Sequence, residues 1–285
     1  MHASLTVWQA IVLGITQGLT EFAPVSSSGH LILVPWLFNW TILQTPQLNK
    51  TFDVALHMGT LVGAVAYLWS DVVRYTKGFF RSIAHREIRT LDERLAWFLV
   101  IGTIPGAIAG AAFESVIEDK LGQPLLIATM LAVGGVALYL VDRACRADRE
   151  IPDLTLRDPI VIGFAQAIAL QPGVSRSGIT ITAARVMRMT RESAARFSFL
   201  LSLPIIAGAG LFKGADVMQS GGLPPGFASP FFWGFVSAAV SGYLVIWWLL
   251  AYLRRRSFAL FMWYRLAVAA LVFALVAAGI RPSMI

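Results

Sequence analysis

A carboxylate, three successive hydroxyls, a glycine and an imidazole stand together in Glu21-Phe-Ala-Pro-Val-Ser26-Ser27-Ser28-Gly29-His30, shortly after Gln17. A serine beside an acid or an imidazole is how a weak nucleophile becomes a reactive one. A second polar run, Gln171-Pro-Gly-Val-Ser175-Arg176-Ser177-Gly178-Ile-Thr180, sets a forked guanidinium among hydroxyls and glycines at the start of a helical pattern. Those are components of an anion site, and phosphate makes the best use of a bidentate arginine together with a helix N-terminus. A nucleophilic serine of the first run, with an acid/base group nearby and facing an arginine-lined phosphate pocket, therefore reads as phosphoryl transfer or hydrolysis. Helix capping accounts for one of the three serines. It does not account for all of them with Glu21 and His30 alongside. His30 reads equally as an acid/base or as a neutral support for the serine loop. Neither run is a dense metal cage, although Glu21 alone could hold Mg²⁺ or Ca²⁺ with water and a substrate phosphate.

The rest of the chain must hold these runs inside a lipid bilayer. Of 285 residues, 57% are hydrophobic and 14% charged, and the mean hydropathy is +0.69, so an all-α integral membrane protein is expected. Apolar stretches at 52–69, 95–113, 124–141, 192–212, 230–253 and 262–280 predict six transmembrane helices. The regions 5–39 and 159–190 are also apolar, but each is broken by one of the polar runs. A lipid-exposed break would strand backbone groups, so both read as re-entrant helix-loop-helix hairpins buried in protein. The N-terminus lacks the pattern of a removable signal peptide. Cys145, the single cysteine, cannot form an internal disulfide and reads as a free thiol. The net charge of +7 comes from basic residues in short loops. Membrane topology explains them, and no nucleic-acid partner is expected.

Arg74, Lys77, Arg81, Arg86, Arg89 and Arg94 mark 70–94 as a cytoplasmic loop, whereas Glu114, Glu118 and Asp119 outnumber Lys120 in 114–123, which falls outside. The connection 40–51 contains only Lys50, and the loop 213–229 has one lysine. Arg143, Arg146, Arg149 and Arg157, then Arg185, Arg188, Arg191 and Arg196, and finally Arg254, Arg255 and Arg256 are again cytoplasmic. Both termini then lie outside. Gly14, Gln17, Val25, Ser26, Ser28 and Gly29 recur 149 positions later as Gly163, Gln166, Val174, Ser175, Ser177 and Gly178. Phe52, Gly63 and Ala64 recur at an offset of 145 as Phe197, Gly208 and Ala209. The chain is thus expected to be a single membrane domain of two repeats, 1–141 and 159–285, joined by the cytoplasmic loop 142–158. With three spans per copy the second is inverted, and the broken tips meet near the midplane.

Glu21 and Arg176 are the intramembrane charges to which function is assigned. The alternative for them is a buried structural ion pair. Asp53 fits the first turn of a helix, favoured by the dipole, and Arg265 fits a side chain snorkelling to the cytoplasmic interface. His57 reads as structural, and His2 and His85 receive no role.

The runs Gln17 to His30 and Pro172 to Gly178, with Phe197-Ser-Phe-Leu-Leu-Ser-Leu-Pro204, resemble the signature motifs of the bacterial undecaprenyl-diphosphate phosphatase family of the bacitracin-resistance type, over essentially the whole chain. The resemblance implies hydrolysis of undecaprenyl diphosphate to the monophosphate carrier lipid of cell-wall synthesis, at the outer, periplasmic face of the bacterial inner membrane. It implies Ser27 as nucleophile, Glu21 as an acid/base or metal-binding group, His30 as a candidate acid/base and Arg176 as the phosphate clamp. Gln17, Ser26, Ser28, Gly29, Ser175, Ser177, Gly178 and Thr180 would line the substrate site. A divalent cation, Mg²⁺ or Ca²⁺, held by Glu21 and Gln17, follows from the family alone. Gln17 departs from the glutamate of many members, which leaves Glu21 the only acidic residue of its motif.

Architecture alone favours a rival, a transporter or flippase of a polyprenyl phosphate lipid using the same midplane site. Ser27, Glu21 and His30 favour hydrolysis, and the resemblance does so further. The sequence leaves monomer or homodimer open.

Overall fold

The computed structural model describes residues 5–40, 46–219, 223 and 226–284. In chain order its α-helices are α1 (Val7–Phe22), α2 (Ser27–Phe38), α3 (Pro46–Tyr67), α4 (Trp69–His85), α5 (Leu91–Lys120), α6 (Pro124–Ala144), α7 (Arg157–Ile168), α8 (Arg176–Val186), α9 (Arg191–Gln219), α10 (Ala228–Leu253) and α11 (Ala259–Ala277). Among the described residues the only β-pairing is an isolated bridge between Arg149 and Met189. Helices α5, α6, α9, α10 and α11 are long and apolar enough to cross a membrane. The pair α3 and α4 makes a sixth if its two arms, bent by 88°, count as one span. The chain is a multi-pass helical membrane protein.

Helices α1, α2, α7 and α8 have 16, 12, 12 and 11 residues. At about 1.5 Å per residue they reach roughly 16–24 Å, short of a hydrocarbon core of about 30 Å. They come as two broken pairs whose breaks are alike. Thr6 caps α1 with a capping box to Gln9, and Pro24 holds Ala23 in extended backbone (φ −63°, ψ 139°), which ends the helix. Ser26 then takes φ 73° and caps α2, its Oγ accepting the Gly29 N–H at 3.4 Å. In the second pair Gly173 has φ 94°, and Ser175 takes φ 76° and caps α8 by accepting the Gly178 N–H at 3.1 Å. A left-handed backbone at a residue with a side chain costs of order 1–3 kcal/mol and tends to occur at functional sites. Here the serine hydroxyl supplies a cap that glycine could not.

Close glycine contacts bring these short helices to the long ones. A Cβ at Gly14 of α1 would lie 2.3 Å from the Gly234 carbonyl oxygen of α10, and one at Gly59 of α3 would lie 2.4 Å from that of Phe235. In the second short pair, a Cβ at Gly163 of α7 would meet the Gly102 carbonyl oxygen of α5 at 2.6 Å. Without a hydrophobic drive between helices in lipid, such small-residue contacts supply much of the packing. Gly14→Ala is expected to cost about 1–3 kcal/mol, because besides the Ser237 hydroxyl it meets the Gly234 backbone carbonyl, which cannot rotate away. Gly208→Ala, where a Cβ meets nothing within 4 Å, is the control and should be neutral or slightly stabilising. Thermal unfolding in detergent compares the two.

Several sequence expectations are corrected here. The span 52–69 ends at the bend at Leu68, and most of the loop 70–94 is helix α4. Asp71, Tyr75, Gly78 and Ser82 form its buried face, while Trp69, Phe80 and Ile83 are exposed. Basic residues set at helical spacing on an amphipathic segment look like a loop when only their density is read. Part of the basic clusters is internal: Arg185, 1% exposed, donates to Asp142 at 3.0 Å, and Arg196 pairs with buried Asp71 at 2.5 Å. Helix α5 continues through Lys120, so 114–120 is not a loop; the side chains of Glu114, Glu118, Asp119 and Lys120 lie outside the described residues, as does that of Lys50. Helix α9 likewise runs on to Gln219, and much of the rest of 213–229 lies outside the described set, as do His2 and 41–45. Asp53 is not in a first turn, since α3 begins at Pro46.

Candidate active site

The two tips bond directly to each other. The Gly173 N–H donates to Ser26 Oγ at 3.0 Å, and Ser177 Oγ donates to the Ala23 carbonyl at 3.0 Å. Beneath them Arg265 is 0% exposed. Its guanidinium donates to the carbonyls of Leu131 (2.7 Å) and Met130 (3.1 Å) in α6, Pro24 (3.1 Å) in the first tip, and Gly173 (2.9 Å) and Val174 (3.0 Å) in the second. The snorkelling expected of Arg265 is therefore wrong. Both tips end in free carbonyls at this depth, and the guanidinium satisfies them where water cannot reach.

Above this clasp the charged groups converge. Ser27 Oγ donates to Glu21 Oε2 at 2.5 Å, and Gln17 Nε2 donates to the same oxygen at 2.9 Å. Arg176 pairs with Glu21 Oε1 and also donates to the Ser202 carbonyl at 3.4 Å. His57 Nε2, from α3, lies 3.5 Å from Glu21 Oε2. A cavity of about 290 Å³ opens over the cluster, with Glu21, Ser26, Ser27, Ser28, His57, Ser175 and Arg176 on its polar side. Its other wall is apolar, from Val54 of α3 and Ile205, Ile206, Ala209 and Gly210 of α9. Charge, hydroxyl and greasy wall in one cavity suit a phosphate joined to a long apolar chain.

The sequence-derived residues divide by position. Ser26, Ser27, Ser28, Ser175 and Arg176 face the cavity with Glu21. Gln17, Gly29, Ser177, Gly178 and Thr180 are buried behind it. Gly29 and Gly178 donate their N–H groups to the capping serines, and Thr180 Oγ1 bonds the Arg176 carbonyl at 2.7 Å and Ser198 Oγ at 2.6 Å. His30 is not brought to Ser27 or Glu21. It is 5% exposed, and its ring nitrogens bond the Ser26 carbonyl (2.7 Å) and the Tyr264 hydroxyl (2.8 Å). Of the two sequence readings of His30, this geometry matches the support of the serine loop. The sequence gives His57 a structural role, yet it lines the cavity; its position one turn after Asp53 in a span was the available signal.

The cation implied by the resemblance does not fit these residues. Both oxygens of Glu21 already accept from Arg176, Ser27 and Gln17. Gln17 turns its N–H₂ rather than its oxygen towards Glu21. Its Oε1 is buried without a partner, as is that of the repeat-related Gln166. Among the described residues no three His, Cys, Asp or Glu side chains come together as a metal cage. A divalent ion on Glu21 would also meet the charge of Arg176.

Fold and cavity thus define a multi-pass helical membrane protein with a serine, a carboxylate and a guanidinium gathered where two broken helix pairs meet. The chain belongs to the family described as bacitracin resistance protein BacA, whose model matches residues 10–271. It is similar to the undecaprenyl-diphosphatase of Moorella thermoacetica, 48% identical over 271 residues, covering 95% of this chain and 98% of that one. Proteins of the same name from Pelotomaculum thermopropionicum (46% identical; 96% of this chain and 98% of the relative) and Geotalea daltonii (44%; 94% and 97%) are similar over comparable lengths.

Proposed function

We propose that this chain is an undecaprenyl-diphosphate phosphatase, releasing inorganic phosphate and undecaprenyl phosphate. The observation that carries the reading is the Ser27 hydroxyl held on Glu21 beside Arg176 in one cavity, in a chain whose relatives bear that name. Ser27 Oγ bonds to the terminal phosphorus while its proton passes to Glu21 Oε2. The bond from that phosphorus to the bridging oxygen breaks, and undecaprenyl phosphate departs with that oxygen. Water then displaces Ser27, and Glu21 returns the proton to it. A guanidinium has five N–H donors. With contacts to Glu21 and Ser202, Arg176 retains donors for the phosphate. A flippase needs a phosphate site, but has no use for a serine bonded to a carboxylate.

Finer features belong to the same proposal. Two inverted repeats, 1–141 and 159–285 joined by 142–158, are supported by the matching breaks at Ser26 and Ser175. They are also supported by exchanged packing: α1 packs on α10 as α7 packs on α5, and α3 on α10 as α9 on α5. The short pairs α1–α2 and α7–α8 are then re-entrant hairpins. Loop charge supports a bacterial inner-membrane orientation with both termini and the cavity on the periplasmic side. A divalent cation enters only as a counter-ion brought by the diphosphate, and a homodimer is compatible with the exposed apolar helix faces.

Purified protein is expected to release phosphate from undecaprenyl diphosphate, and Ser27→Ala to release none while unfolding at the wild-type temperature. Full activity of Ser27→Ala removes the nucleophile assignment. Movement of the lipid across vesicles without phosphate release supports the flippase instead.

A further inference from the structure

We infer that His57 is the catalytic base of the second half-reaction, taking the proton of the water that frees Ser27 from its phosphoryl group. The inference rests on the hydrolase reading above and adds a residue to it. His57 Nδ1 lies 2.7 Å from the Asp53 carbonyl oxygen. A carbonyl only accepts, so Nδ1 carries the hydrogen, and in the neutral form of the ring Nε2 has the lone pair that takes up a proton. His57 lines the cavity with Nε2 3.5 Å from Glu21 Oε2, and its side chain is 32% exposed against 3% for Glu21. His30 has the same local bond, from Nδ1 to the Ser26 carbonyl. Its Nε2 is occupied by Tyr264 and does not reach the cavity.

The charges around His57 favour this step at the moment it occurs. Those facing it are Glu21 from α1 and Arg176 from α8, with Asp53 one turn earlier on its own helix; the α9 wall is apolar. In the phosphoserine state Glu21 holds the proton taken from Ser27 and is neutral. The water oxygen bonds to phosphorus, the bond from phosphorus to Ser27 Oγ breaks, and Glu21 gives its proton to the departing Oγ. The water proton goes to His57 Nε2. A carboxylate therefore appears 3.5 Å from the nitrogen as that nitrogen becomes cationic, and the two charges stabilise each other. The resulting imidazolium gives its proton to water in the cavity before the next cycle. Gln17, which also bonds Glu21 Oε2, exchanges no proton and cannot serve.

The experiment uses undecaprenyl diphosphate labelled in its terminal phosphate, full-length protein in detergent, and rapid acid quenching. His57→Gln is expected to lower steady-state phosphate release by about 10²–10³-fold. It should still release one undecaprenyl phosphate per protein in a fast burst, with the label trapped on the Ser27 peptide as seen by mass spectrometry. His57→Ala should regain turnover when imidazole is added, which a purely structural role does not explain. Thermal unfolding checks that both variants fold, and Ser27→Ala must trap no label. Wild-type turnover by His57→Gln overturns the assignment, as does slow turnover with neither trapped phosphoserine nor imidazole rescue. A wild-type protein that releases no phosphate overturns the hydrolase reading itself, a result distinct from either.

Discussion

Arg176→Ala is expected to stop phosphate release and to weaken the fold at the same time. The guanidinium is the cationic partner of Glu21 Oε1, and the Glu21 side chain is only 3% exposed. Removing one member of a buried pair leaves the other charge uncompensated, at a cost of about 3–5 kcal/mol. Losing the phosphate clamp should lower the rate by about 10²–10³-fold, because it acts on the charge transferred in the reaction. The two effects separate in the double variant Arg176→Ala with Glu21→Gln. Stability should return towards wild type, since no carboxylate is left unpaired, whereas activity should not return. Arg176→Lys keeps the charge and loses the fork, so it should preserve most of the stability and little of the rate. Denaturation in detergent and phosphate release, measured on the same preparations, check all three. Wild-type stability in Arg176→Ala contradicts the ion pair, and a wild-type rate contradicts the clamp.

Arg265→Met should act almost wholly through folding. Arg265 touches neither Glu21 nor Ser27, yet its guanidinium bonds five backbone carbonyls drawn from both tips and α6. Methionine roughly keeps the apolar bulk and removes every donor. Each buried acceptor left unsatisfied costs about 1–3 kcal/mol, so a loss of at least about 3–5 kcal/mol is expected against a total stability of about 5–15 kcal/mol. Lysine has three donors on one nitrogen and cannot span the same carbonyls, so Arg265→Lys should recover only part. Residual activity should track the folded fraction across both variants. Normal stability in Arg265→Met shows that the tips do not depend on the clasp.

Gly134 and Gly135 show how closely α6 is fitted to that arginine. A Cβ at Gly134 would lie 2.4 Å from Arg265 Nη2, and one at Gly135 would lie 3.2 Å from Arg265 Cβ. No local pattern in the sequence announces such a pairing, since Arg265 lies 134 positions from Leu131, whose carbonyl it bonds. Depth is therefore not legible from the sequence: an arginine near a span end snorkels unless acceptors from distant segments already surround it. The misreading of α4 has a related cause. Its bend at Leu68 turns an amphipathic helix away from the direction of α3, and charge density alone does not register direction.

By itself the sequence determined the helical membrane class, because apolar runs of bilayer length have few other uses. It determined the polar tips as well, since Glu21, Ser27 and Arg176 are costly in such a chain unless something employs them. The tertiary structure decided which groups share a cavity. His30 and His57 make the same local bond, Nδ1 to the carbonyl four residues earlier. Their difference lies in what meets the other nitrogen: Tyr264 from α11 in one case, Glu21 and an open cavity in the other. A helix fixes the first contact through its own repeat, whereas the second depends on helices that arrive from elsewhere in the chain.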